Sequence, residues 1–244
     1  RPAIMMGQYD VPGTGAKLTV NGGTISSATF AAIQGNGTAG TNSNQNTVIV
    51  INGGVITAAT ADGIYHPQAG SLTITGGEIT GYSGIAMKSG TLTITGGKIK
   101  GTGADLDTLA SSQNGIETDG SAICIDSNVG YAGGMEVSIS GNAELVSANG
   151  HIIREAGVDN EITSISVTGG TFTAAADKEA INLQDATPAA IASVSGGTFN
   201  TDVSEYVVPG MSLVGGAVVN NAGQFNSLTD GAGVSAAAGT WGAT

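Results

Sequence analysis

Positive charge is scarce in this chain. Seven lysines and arginines face nineteen aspartates and glutamates, a net charge of -12, which removes the electrostatic basis for binding nucleic acid or docking on anionic membranes. Aromatics make up 4% of the residues and charged side chains 11%, against about 25% charged in an ordinary globular protein. The expected core is therefore aliphatic and the expected surface neutral. One cysteine, Cys124, excludes an intramolecular disulfide and a thiolate metal site. No apolar run reaches the roughly 18 residues of a membrane-spanning helix. The first residues lack the charged and apolar regions of a signal peptide, as a processed product also would, so secretion stays open. Five prolines beside 41 glycines, without a Gly-X-Y period, exclude collagen and point to many tight turns.

What is present is a repeat. Leu-Thr-Ile-Thr-Gly-Gly begins at Leu72 and again at Leu92. Glycine pairs after short β-type runs recur at Gly22-Gly23, Gly53-Gly54, Gly76-Gly77, Gly96-Gly97, Gly169-Gly170 and Gly196-Gly197, with Gly141-Asn142 as a degenerate copy. Within a copy, Leu72-Thr73-Ile74-Thr75 alternates apolar and polar, the pattern of a strand with one buried face. Leu72, Ile74 and then Ile79 point inward, and their equivalents in the other copies form three aliphatic columns. A third short strand follows in most copies, at Gly63-Ile64, Gly84-Ile85, Ala122-Ile123, His151-Ile152 and Ala180-Ile181. The shortest cycle, from Leu72 to Leu92, wraps a three-sided coil but is too short for a βαβ unit of about 30 residues. The expected fold is all-β: a parallel β-helix (β-solenoid) of about seven coils spanning residues 18–207, with residues 1–17 and 208–244 as caps or docking segments. A hairpin is expected in residues 215–228.

The glycine-rich copies, including Val194-Ser195-Gly196-Gly197-Thr198-Phe199, resemble the coils of right-handed parallel β-helix proteins, the pectate-lyase-like superfamily. Within it they are most similar to repeat proteins of bacterial surfaces and phage fibres. The resemblance implies a right-handed coil and an extracellular setting, but such scaffolds carry lyases, binding modules and fibres alike. The enzymes of that superfamily need a base beside a calcium-bound uronate, or carboxylates converging across a groove. Stacking the third strand places Pro67, Lys88, Asp126, Glu155 and Gln184 in one exterior column, with Lys88 and Asp126 as a surface ion pair. No acidic pair recurs beside a basic residue, so no catalytic residue is assigned.

Residues 100–134 form an insertion, and insertions in solenoids become loops on one side, often the binding side. Asp105, Asp107, Glu117, Asp119 and Asp126 make it the candidate calcium site, because hard cations take several carboxylate and carbonyl oxygens. Its spacing matches neither an EF-hand nor a calcium-binding nonapeptide, and a solvated acidic loop is the alternative. Tyr65, Tyr82 and Tyr131 are the candidate sugar-stacking residues of a polysaccharide-binding patch; tyrosines covering coil edges are the competing reading. His66 and His151 read as surface or corner residues, and Cys124 as a packed, inert thiol. The outward Thr73, Thr75, Thr93, Thr95, Ser138 and Ser140 form a hydroxyl ladder that Asn21 and Asn52 interrupt. The expectation is a non-catalytic structural or adhesive module that associates with itself or with another fibre protein.

Overall fold

The computed structural model describes residues 1–6, 15–35, 47–106, 119–126, 131, 134–157, 162–184 and 188–221. Those residues are predominantly β, with one short helix, Pro188–Ile191, and a 3-10 turn at Ser204–Tyr206. Nearly all strand pairs are parallel and join equivalent positions of successive copies. Leu18, Ile49, Leu72, Leu92, Val137, Ile165 and Ala192 stand side by side in one column. Ile25, Ile56, Ile79, Ile99, Leu145, Phe172 and Phe199 form another. Strands such as Val48–Ala58 and Ile162–Thr173 run through both columns, and their pairing register shifts around the glycine pair. Alternation alone sorts the side chains: Ile49 and Ile51 are fully buried while Asn52 is exposed.

A separate sheet of seven short strands carries Ile4, Ile33, Ile64, Ile85, Ile123, Ile153 and Ile181 in one row. Ile153 pairs with Ile123, so this strand sits one residue later than the sequence alignment at Ile152 placed it. Glu155 accordingly lies beside Ile125, and the residue beside Asp126 is Ala156. The inward rows of the two sheets merge into one apolar, mostly aliphatic cluster, each fully buried isoleucine contributing about 1.5–3 kcal/mol. Near its C-terminal end the rings of Phe172 and Phe199 stack with centroids 4.5 Å apart.

Asn21 and Asn52 do not interrupt the polar ladder. The Asn52 side-chain amide donates to Asn21 Oδ1 at 2.8 Å, and Thr75 Oγ1 donates to Asn52 Oδ1 at 2.9 Å. Amides thus continue the row that hydroxyls begin, because both residue types carry donor and acceptor.

The second glycine of each pair takes positive φ, +84° at both Gly23 and Gly97. In the degenerate copy, Ile139 and Leu145 are separated by one more residue than Ile94 and Ile99, and Gly141 takes the positive φ instead. A Cβ on Gly97 would lie 2.9 Å from backbone atoms of Gly76 and Gly77, whereas one on Gly23 would meet nothing within 4 Å. Gly23→Ala therefore incurs only left-handed strain of about 1–2 kcal/mol, and Gly97→Ala adds crowding of about 1–3 kcal/mol. Urea titration of the two variants is expected to rank them in that order.

At the N-terminal end Ile4–Met5 pairs with Ile33–Gln34, so part of the segment expected as a cap is the first rung of the short-strand sheet. At the other end the strands Met211–Val214 and Ala217–Asn220 form an antiparallel hairpin whose Gly215 and Gly216 both have positive φ, the geometry of a two-residue hairpin turn. It starts earlier than residue 215 and pairs with the last repeat strand at Thr198. Among the described residues no helix is long and apolar enough to cross a membrane.

Candidate functional site

The outward face of the short-strand sheet is covered. Tyr65, Ala86, Cys124 and Arg154, neighbours across successive strands, are all buried. Arg154 explains part of this. One guanidinium nitrogen donates to Asp105 Oδ1 at 2.8 Å and Asp119 Oδ2 at 3.2 Å, and the other donates to the Leu106 carbonyl at 2.6 Å. Lys178 closes on the second oxygen of Asp105. Asp119, fully buried, also accepts from the Ser121 backbone N–H at 2.9 Å and from the Ser121 hydroxyl. Asp105 and Asp119 of the insertion are thus tied to the sheet through Arg154, which gives the buried carboxylates the partner that burial demands.

Of the candidate calcium ligands, Asp105 and Asp119 face Arg154, Asp126 faces Lys88, and Asp107 and Glu117 lie outside the described residues. Among the described residues no three His, Cys, Asp or Glu side chains converge as metal ligands.

Lys88 and Asp126 are not a surface pair. Both side chains are fully buried, with Nζ 2.6 Å from Oδ2. The Tyr131 ring lies over the ammonium, 4.7 Å from Nζ to centroid, at cation–π distance. Tyr65 is buried beside Tyr131, and that burial, with Tyr131 and the carboxylates of Asp62 and Asp126 nearby, holds its phenol well above the usual range. Only Tyr82 of the three candidate stacking residues presents an exposed ring, at 38%. Of the exterior column read from the sequence, Pro67, Lys88, Asp126 and Glu155 are buried, Lys88 beneath the Tyr131 ring, and Gln184 is exposed. Glu155, also fully buried, accepts the Gln184 backbone N–H at 2.8 Å.

His66 is likewise buried in the row of Met87 and Ile125, not at a corner. Burial lowers its pKa to about 4, with the Gly70 backbone pulling weakly the other way. The unfolded chain, with a histidine near 6.5, takes up a proton first as pH falls. Stability is then lost between about pH 6.5 and 4, by about 3 kcal/mol in all. Asp62 works in the opposite sense: burial, then the Asp119 charge, raises its pKa, so its contribution declines as pH rises above its ordinary 3.8. The difference between His66→Met and the parent chain isolates the imidazole. Urea midpoints at pH 7 and pH 4.5 are expected to separate less for the variant. Cys124 is fully buried, and burial pushes its thiol up, so the thiol is packed as the sequence suggested.

Sequence reasoning missed a cleft of about 430 Å³ where Asp177, Lys178 and Glu179 meet Asp202, Glu205 and Tyr206. Burial, then the Glu205 and Glu179 charges, raises the Tyr206 pKa to about 12. Its walls come from two loops with no shared motif, so only tertiary contact assembles it. Comparison of the chain with protein-family models, curated proteins and solved structures finds no match.

Proposed function

We propose that these strands form the three sides of one parallel β-solenoid of about seven coils, a non-catalytic structural or adhesive module displayed outside a cell, on a bacterial surface or in a virion fibre. The observation that carries this reading is the in-register stacking of equivalent residues from Leu18 to Ala192 and from Ile4 to Ile181. Such stacking satisfies backbone donors and acceptors on both sides of each strand and gives a stiff, protease-resistant object. The Asn, Thr and Ser rows offer a neutral hydrogen-bonding wall. A lyase or hydrolase draws no support from Lys88 or Arg154, each committed to a buried carboxylate. The right-handed sense rests on the sequence resemblance.

In this reading the terminal segments join one molecule to another copy or to a further fibre protein. Negative-stain electron microscopy across a concentration series tests it. Filaments repeating at one molecular length support assembly, and isolated short particles at every concentration contradict it. Polysaccharide binding is the second reading, favoured by the polar cleft beside Tyr206; absence of binding to a broad glycan panel, with and without calcium, would remove it.

A further inference from the structure

Lys88 follows the strand Ile85–Met87, and Asp126 ends its neighbour Ile123–Asp126. Their side chains meet at 2.6 Å with no solvent exposure, under the ring of Tyr131. Keeping two opposite charges in a dry site carries a large desolvation cost. An amide made from the same atoms carries no charge. Reacting groups held in contact at about 3–3.5 Å gain the rate advantage of an intramolecular reaction, and exclusion of water opposes hydrolysis of the product.

We propose that Lys88 and Asp126 condense to an intramolecular isopeptide bond. The proton shared by the pair passes from Nζ to Oδ2, leaving an amine and a carboxylic acid. The Nζ lone pair attacks Cγ, forming the C–N bond. The tetrahedral adduct then breaks one C–O bond and loses that oxygen with two protons as water. Ammonium plus carboxylate becomes secondary amide plus water, with no change in oxidation state and no co-reactant. The bridge links two adjacent rungs across the long interruption between Gly101 and Ile123, where sequence continuity between them is weakest.

Intact-mass spectrometry of the purified chain, followed by peptide mapping, tests this. The expected result is a mass one water below that of the sequence, with a branched peptide joining Lys88 to Asp126. Lys88→Arg keeps the charge and is expected to restore the full mass. Asp126→Asn is expected to lose one ammonia instead. A wild-type chain at full mass, or a water lost anywhere other than this pair, overturns the proposal. The wild-type measurement decides even where a variant fails to fold.

Discussion

Arg154→Met is expected to lower unfolding stability by about 3–5 kcal/mol, the cost of leaving buried carboxylates without their cation. Arg154 is the cation that reaches both Asp105 and Asp119, and Asp119 is fully buried. Lys178 still reaches Asp105, so the uncompensated charge falls mainly on Asp119. For a chain of this size the loss corresponds to a fall in Tm of about 10 °C. Adding Asp119→Asn to the variant removes the stranded charge and is expected to recover part of the loss, in a double-mutant cycle read by urea denaturation. A change below about 1 kcal/mol for the single variant would contradict a buried role for the network.

Ile85→Ala is expected to cost about 2–5 kcal/mol, and Ile85→Val about 0.5–1.5 kcal/mol. Ile85 lies mid-row, with Ile64 on one side and Ile123 on the other, all fully buried. The close-packed row has little room to collapse into the space left by three carbons. Ile4→Ala is the internal comparison, because Ile4 ends the same row and is only partly buried. Its loss is expected to be less than half as large. Equal losses at both positions, measured by urea denaturation, would contradict a core whose burial depends on neighbours from both sides.

The strand columns were legible because each copy repeats the same apolar–polar alternation closed by a glycine pair, although the copies are unequally spaced. Leu72, Ile74 and Ile79 predicted their own partners in every copy. The site was less legible, for two physical reasons. A one-residue offset at Ile153 moved Glu155 from the Asp126 row into the Ile125 row, and such a slip exchanges the two faces of a strand. Alternation also says which residues share a face, but not whether a distant segment covers it. Lys88, Asp126 and Glu155 read as exterior by strand logic and are buried, with the Tyr131 ring over Lys88 from outside its own strand. The buried ion pairs follow from that cover, and nothing in the local sequence of Lys88 announces them.

The stacked-coil account is tested most directly by one distance. Thr19 and Ser193 share an outward row, joined through Val50, Thr73, Thr93, Ser138 and Ser166. Six strand spacings of about 4.8 Å separate the two ends. Pulsed electron paramagnetic resonance on spin labels at Thr19→Cys and Ser193→Cys, in a Cys124→Ala background, is expected to give a distribution centred near about 29 Å. A distribution at one strand spacing plus label reach would place the first and last strands side by side, as in a closed barrel, and would contradict the account.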